Sequence, residues 1–204
     1  MQAYSFFRLY LIISISTFYY FVVGIALCTA DSKSTQNPKA FIGSIFEGIV
    51  QIDSIKLNDS EKIEKIIDIF NKNVDYVFVA RAILGSSWKK ALDEQKQEFT
   101  VALKNYLAKK YSKQFFDFGS QKITFKGVNQ LSSNSFIIDS RVISDNSKSF
   151  DVAWQVVKTE TELKLINIKF EGISMIHTER DEIKNLIRAH SGSIPLLIKA
   201  LKDY

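Results

Sequence analysis

Two successive segments decide the fold: SFIIDSRVI at Ser135–Ile143 and FDVAWQVVK at Phe150–Lys158. In both, β-branched and aromatic residues alternate with polar ones, which is the period of a half-buried β-strand. The same pattern flanks them in KITFKGVN at Lys122–Asn129 and in ELKLINIKF at Glu162–Phe170. The connections between these segments are short and polar, so the sequence predicts a curved, four-stranded antiparallel meander with one apolar face.

Upstream of the strands, apolar residues recur at the three- and four-residue spacing of amphipathic helices. The first predicted helix runs from Pro38 to about residue 54, and the second begins at a cap formed by Asp59 or Ser60. Two more are predicted over Asp75–Leu84 and Asp93–Phe116. Proline suits the first turn of the first helix. Gly85 and Gly119 follow the last two helices, where glycine commonly terminates a helix.

Helical spacing returns after the last strand, at Thr178–His190 and, beyond Gly192, at Ser193–Leu201. The chain therefore reads as helices, then a sheet, then helices. Segregation of this kind is typical of an α+β domain in which helices cover one face of the sheet. We expect one such domain over residues 38–204.

The N-terminal residues have the layout of a secretory signal peptide, with a basic start, an apolar stretch at Leu9–Leu27 and small residues up to Ala30. We expect cleavage after Ala30, a short disordered polar leader over residues 31–37, and a periplasmic location. Two alternatives stay open. The apolar stretch is long enough to span a bilayer as an uncleaved anchor, and Ile25–Cys28 loosely resembles a lipoprotein box.

Charge and composition exclude some classes of function. The chain has 27 basic and 22 acidic residues, but the lysines are scattered and form no basic stripe with interleaved aromatics, so we expect no nucleic-acid partner. The mild positive charge favours anionic membrane surfaces or only keeps the protein soluble. The single cysteine, Cys28, lies in the predicted signal peptide, so the mature protein has no disulfide.

No catalytic or metal-binding motif is present. The two histidines, His177 and His190, have no cysteine or spaced carboxylates beside them to complete a zinc site, and each is expected at the surface or at a helix cap. No serine lies in a G-x-S-x-G turn, and no glycine-rich phosphate loop occurs. We therefore expect no cofactor, no metal, no catalytic residue and no enzymatic activity. Aspartates brought together by folding into an acid/base site are the enzymatic alternative.

Two blocks of sequence resemble the MlaC family, whose members are also described as toluene-tolerance or auxiliary transport proteins. The first is VDYVFVARAILG at Val74–Gly85, and the second is EGIS at Glu171–Ser174 followed by Arg180. The strand segment Trp154–Val156 resembles the family as well. One departure is Asn167, where an aspartate is expected.

The resemblance implies a carrier of phospholipid that makes and breaks no bonds. Its expected partners are a phospholipid, an inner-membrane ABC transporter complex with an MCE-domain subunit, and an outer-membrane lipoprotein complex, and it would help to maintain outer-membrane lipid asymmetry. Both acyl chains would lie in an apolar cavity between sheet and helices, with the headgroup near solvent. We expect a monomer. A binding protein for a smaller hydrophobic ligand, or an enzyme with an acid/base site in the same pocket, remains an alternative.

Alternation along the strands and spacing along the helices give the candidate acyl-chain contacts. On the sheet these are Ile123, Phe125, Phe136, Ile138, Val152, Trp154, Val156, Ile166 and Ile168. On the helices they are Phe78, Leu84, Phe99, Leu103 and Tyr106. For any single residue of this set, ordinary core packing is an equally good interpretation.

Arg81 lies within the first block, on an apolar helix, and an arginine there needs a partner. An internal ion pair with Asp75 is the favoured interpretation, and contact with a lipid phosphate is the alternative. Arg141 is a weaker headgroup candidate, because alternation points it away from the predicted lining face.

Overall fold

The computed structural model describes residues 37–116, 122–143 and 149–204. The predicted signal peptide, most of the predicted leader and the helix stop at Gly119 lie outside these residues. So does most of the connection that follows Ile143. No helix within the described ranges is long and apolar enough to cross a membrane.

The first two helices pair with each other and cover the sheet. α1 (Pro38–Ser54) begins at Asn37, whose side chain accepts hydrogen bonds from the backbone N–H groups of the first turn. α2 (Asp59–Asn73) is capped by Asn58, which forms a reciprocal capping box with Glu61. The expected cap at Asp59 or Ser60 is therefore wrong by one or two residues, because Asn58 accepts the hydrogen bond from the third backbone N–H of the helix.

A second group of helices follows. α3 (Tyr76–Leu84) starts at Asp75, whose Oδ1 accepts a hydrogen bond of 2.8 Å from the Phe78 backbone N–H. Gly85, with φ +60° and ψ −125°, ends it in a conformation that glycine alone adopts without strain. A 3₁₀ helix over Gly85–Lys89, which contains Trp88, follows α3. The long helix α4 (Asp93–Phe116) comes next.

The sheet is antiparallel, with its strands in sequence order. They are β1 (Lys122–Ser132), β2 (Ser135–Ile143), β3 (Ser149–Lys158), β4 (Leu163–Phe170) and β5 (Ile173–Ser174). The predicted four strands are present, but the sheet has five, because β5 pairs two residues with the end of β4. A two-residue strand is too short for alternation to reveal.

Two helices complete the chain. α5 (Met175–Ala189) begins three residues earlier than expected, because Ser174 accepts a hydrogen bond from the His177 backbone N–H and caps it. α6 (Ile194–Lys202) is capped by Ser193. The predicted α+β order of helices, antiparallel sheet and helices is confirmed.

The apolar side chains form two separate clusters. The sheet core joins α1 and α2 to the inner sheet face, and Trp154 is fully buried in it. The helix core joins α3, α4, α5 and α6, with Phe99 fully buried. Val74, between α2 and α3, packs against both cores. A division of this kind creates a seam where the two cores meet.

Candidate functional site

A cleft lies along this seam. It holds about 710 Å³ of space not occupied by atoms, counting the part open to solvent, and the centre of a water-sized sphere can occupy about 90 Å³ of it. The second value lies below the roughly 300–1,000 Å³ of typical small-molecule pockets, so the cleft is narrow in this conformation. The lining residues are Ile66, Ile67, Phe70, Val74, Tyr76, Val79, Ile83, Leu107, Ala108, Tyr111, Leu165, Ile166, Asn167, Ile168, Met175, Ile176 and Glu179. The wall is therefore apolar except at a few positions.

A β-bulge in β4 builds the sheet side of the cleft. Gln155 pairs with Asn167 and Val156 pairs with Leu165, so Ile166 is an extra residue without a partner on β3. Leu165 belongs to the sheet core, whereas Ile166 is buried but belongs to neither core. The bulge therefore adds a buried residue of neither core to the cleft wall, next to Leu165, which lines the cleft as well.

Asn167, the departure from the family pattern, fixes the turn from the sheet into α5. Its side-chain amide and the Ser174 hydroxyl lie within 3.0 and 3.1 Å of each other, and its Oδ1 also accepts a hydrogen bond from the Ile176 backbone N–H. The amide side chain therefore holds the start of α5 against the cleft wall.

The polar positions concentrate on the helix side of the cleft, in a group of five residues that we name the Lys110 cluster: Tyr106, Lys110, Tyr111, Glu179 and Glu182. Glu179 is 1% exposed, and its Oε1 accepts hydrogen bonds from the Tyr111 hydroxyl and from Lys110 Nζ, the latter at 2.9 Å. Lys110 Nζ also lies 2.5 Å from Glu182 Oε2. The Tyr106 hydroxyl donates to Glu182 Oε1 at 2.7 Å.

The electrostatics of this cluster favour a charged Lys110, neutral Tyr106 and Tyr111 and an ionised Glu182 at neutral pH. Desolvation opposes the charge on Lys110, but hydrogen bonds to Glu182, Tyr106 and Glu179 outweigh it and raise the pKa of Lys110. Desolvation raises the pKa of Tyr106 and of Tyr111. The hydrogen bond from Lys110 lowers the pKa of Glu182. The cluster therefore contains a charged ammonium between carboxylates and neutral phenols.

Tyr76, at the first position of α3, brings a phenol to the cleft wall. Burial raises the pKa of Tyr76 to about 12. Lys104 Nζ lies 5.7 Å from the centroid of its ring, where a cation is attracted to the π face. The phenol therefore lies in a poorly hydrated environment.

The sequence-predicted contacts fall into two groups. Ile166 and Ile168 line the cleft. Ile138, Val152, Trp154 and Val156 lie in the sheet core, with Ile123, Phe125 and Phe136 packed against it. Leu84, Phe99, Leu103 and Tyr106 lie in the helix core, and Phe78 is half-buried outside both. Apart from Ile166 and Phe78, the candidates lie in or beside the packed cores, and Ile168 belongs to the sheet core as well as to the cleft wall.

Sequence reasoning missed most of the cleft wall. Val79 and Ile83 occur on the same helix as the chosen Phe78 and Leu84, but one position away on the helix surface. Glu179 and Lys110 are 69 residues apart and were not singled out. Val79 and Ile83 are four residues apart on one helix face, and this spacing could have found them.

The expected ion pair between Arg81 and Asp75 is wrong. The two residues are six positions apart, and the Asp75 carboxylate caps α3. Arg81 is exposed, with its guanidinium 5.5 Å from the centroid of the Phe78 ring. Arg141 pairs with Asp151 at 2.9 Å on the sheet face opposite the core. Neither arginine lines the cleft.

The two sequence blocks that carry the family resemblance meet in space. Gly85 ends the first block, and a Cβ placed on it would lie 2.8 Å from Arg180 Nη2 of the second. A side chain at position 85 would therefore displace the Arg180 guanidinium. Within the described ranges, no group of three histidine, cysteine, aspartate or glutamate side chains is placed to hold a metal ion.

Comparisons with known proteins agree with this architecture. No curated protein matches the sequence. A phospholipid-binding protein from Ralstonia solanacearum, solved in complex with a phospholipid, is 17% identical and superposes with a TM-score of 0.71, over 82% of this chain and 96% of that one. At this identity the likeness shows the fold. The family described as MlaC protein matches residues 42–203, which is most of the chain. The chain therefore belongs to the MlaC family.

Proposed function

We propose that this protein binds a phospholipid in the seam cleft and carries it through the periplasm without chemical change. The observation that carries the proposal is the cleft wall, which is apolar except at Tyr76, Tyr111, Asn167 and Glu179. Family membership supports it, and so does the fold shared with a protein solved with a bound phospholipid. An apolar wall suits acyl chains because burying one methylene is worth about 0.8 kcal/mol relative to water.

The cleft must widen to accept such a ligand. The space of about 90 Å³ that water-sized spheres can occupy in the cleft has room for roughly half a dozen water molecules, which is too little for two acyl chains. The walls belong to two separately packed cores, so they can move apart while each core stays intact. Because acyl chains in a bilayer are already out of water, transfer into the cleft is nearly neutral, and affinity does not have to be high for exchange.

The wider setting that we propose follows from the family. The carrier would be exported by the N-terminal signal peptide and would exchange lipid with an outer-membrane lipoprotein complex and with an inner-membrane ABC transporter that has an MCE-domain subunit. This exchange would help to maintain outer-membrane lipid asymmetry. A net charge of +5 in the full chain is compatible with approach to anionic membrane surfaces.

The Lys110 cluster does not favour the enzymatic alternative. A general acid or base works best when its pKa lies near the operating pH. The pKa values of Lys110, Tyr106 and Tyr111 are raised from ordinary values already above neutrality, and the pKa of Glu182 is lowered. These four groups are therefore poorly matched to proton transfer at neutral pH, which supports a binding role.

Native mass spectrometry of the protein, expressed as the full chain in a Gram-negative host and purified from the periplasm, tests the proposal. We expect a complex with a phospholipid that solvent extraction releases. We also expect the mass of the protein to equal that of the chain from Asp31 to Tyr204. Absence from the periplasmic fraction would contradict the export step. A protein that is empty and also takes no lipid from vesicles would contradict the carrier function.

A further inference from the structure

Glu179 has an acceptor oxygen without a hydrogen-bond partner among the described residues. Its side chain is 1% exposed and lies on the cleft wall. Its Oε1 is satisfied by Lys110 and Tyr111, but among the described residues its Oε2 has no hydrogen-bond partner. Leaving a buried charged acceptor without a donor is strongly unfavourable, and native proteins rarely do so without a reason.

The charge of the Lys110 cluster points in the same direction. Glu179 and Glu182 carry two negative charges, and Lys110 is the one cation of the cluster that hydrogen-bonds them. One negative charge is therefore left over in a partly desolvated site. The group best suited to Glu179 Oε2 is one that both donates a hydrogen bond and carries a positive charge, which describes a primary ammonium.

The position of the cluster fits the polar end of a lipid. Glu179 is buried, Lys110 is 22% exposed and Glu182 is 42% exposed, so the cluster runs from the cleft wall to the protein surface. The rest of the wall is apolar except at Tyr76 and Asn167, and it suits acyl chains. A lipid whose chains follow the apolar wall would bring its headgroup to the edge where this cluster reaches solvent.

We propose that Glu179 Oε2 accepts a hydrogen bond from the primary ammonium of the lipid headgroup, so that the protein prefers ethanolamine-type phospholipids over choline-type ones. This inference rests on the proposed function, because it assumes that a phospholipid enters the cleft. The choline headgroup carries the same positive charge but has no N–H group, so it cannot satisfy the acceptor. The preference therefore depends on the donor and not on the charge alone.

A headgroup methylation series tests the inference. The protein is stripped of lipid and exposed to vesicles with equal amounts of ethanolamine and N-methylated ethanolamine phospholipids of identical acyl chains, and native mass spectrometry then measures the bound fraction of each. We expect about a tenfold preference for the ethanolamine form over the trimethyl form, as for a charge-assisted hydrogen bond. The largest drop should come at the last methylation, which removes the last N–H. A graded loss at every step would indicate steric selection and would overturn the assignment.

The variant Glu179→Gln should lose most of this preference, because it removes the charged acceptor. Glu98→Gln is the matched control: it makes the same charge change on α4, the helix that carries Lys110, but at an exposed residue 3.9 Å from Lys202 Nζ. Preference that persists in Glu179→Gln, or that is lost equally in Glu98→Gln, would contradict a direct contact. If Glu179→Gln does not fold, the methylation series on the unaltered protein still decides the question.

The remaining outcomes separate this inference from the proposed function. Equal uptake of all headgroups would overturn the inference and leave the carrier function standing. No uptake of any lipid would overturn both. Soluble glycerophosphoethanolamine, which has the same ammonium without acyl chains, should not compete at equal concentration, and effective competition would show that the ammonium ligand of this site is not a lipid.

Discussion

The inner face of the sheet and the wall of the cleft both contain fully buried apolar side chains, yet these side chains face different surroundings. Trp154 is 1% exposed and Val156 is 0% exposed in the sheet core, while Ile83 on the cleft wall is 2% exposed. The sheet residues pack within one core, whereas the cleft residues face elements that belong to the other core. The low exposure of a side chain therefore does not show whether it lies in a core or on a cavity wall. Its position relative to the boundary between the sheet core and the helix core does show this.

The largest expected effect tests the sheet side of this comparison. Trp154→Ala should lower the free energy of unfolding by about 3–5 kcal/mol, because it leaves a cavity in a packed core. It also removes the donor of the 2.9 Å hydrogen bond to the Ser140 hydroxyl. Urea unfolding measures the loss, and the folded variant should still take up lipid. Unchanged stability with lost lipid uptake would place Trp154 on the lipid-contacting wall instead.

A matched pair on α4 sharpens the comparison with a smaller effect. Ala102 is 2% exposed in the helix core, and Ala108 lines the cleft. Ala102→Phe should cost about 1–3 kcal/mol of stability by overpacking. Ala108→Phe should fill the cleft at little cost in stability and reduce lipid affinity by about tenfold, equivalent to 1.4 kcal/mol. Urea unfolding and lipid uptake from vesicles measure both variants.

The outcome for this pair is informative in either direction, since the two substitutions add the same volume to the same helix. Reversed effects, with lipid uptake reduced by Ala102→Phe and stability reduced by Ala108→Phe, would show that the helix core is the deformable region and that the seam is closed packing.

The smallest expected effect concerns pH and reports how dry the cleft is. Burial raises the pKa of Tyr76 to about 12, above its ordinary value of 10.0. Because the pKa of Tyr76 is higher in the folded state than in the unfolded state, its neutral phenol contributes fully to stability below pH 10. This contribution is lost as the pH rises from 10 toward 12. Tyr76→Phe should therefore show a shallower alkaline loss of stability than the parent protein. Ultraviolet titration of the phenolate that finds Tyr76 ionising near pH 10 would instead indicate a hydrated cleft.

Local sequence patterns predicted most of the fold. Alternation located β2 and β3 from Ser135 to Lys158, and apolar spacing located α1 and α4, because one face of each element is buried. The family resemblance rested on blocks such as Val74–Gly85 and was confirmed. The predicted starts of α2 and α5 were less accurate. Asn58 and Ser174 cap these helices, and composition alone does not show which of several neighbouring polar residues forms the cap.

The site was harder to predict, because it depends on which packing unit a side chain joins. Alternation assigned Trp154 and Val156 to the correct face of the sheet, but it cannot tell whether that face meets a helix or an empty space. The bulge at Ile166 interrupts the two-residue alternation of side chains along β4. The contact between Lys110 and Glu179 joins residues far apart in the sequence, so no local pattern reveals it.

The bulge at Ile166 also separates two evolutionary pressures. Because this residue has no partner on β3, its side chain is not part of a cross-strand pair, and the register on either side is set by Leu165 and Asn167. Substitutions at position 166 can therefore remodel the cleft without changing the register of the sheet. Even deletion of the residue would leave Val156 opposite Leu165 and Gln155 opposite Asn167. Substitutions at this position can change ligand specificity while the sheet stays the same. Position 166 is therefore a good starting point for redesigning which ligand the protein binds.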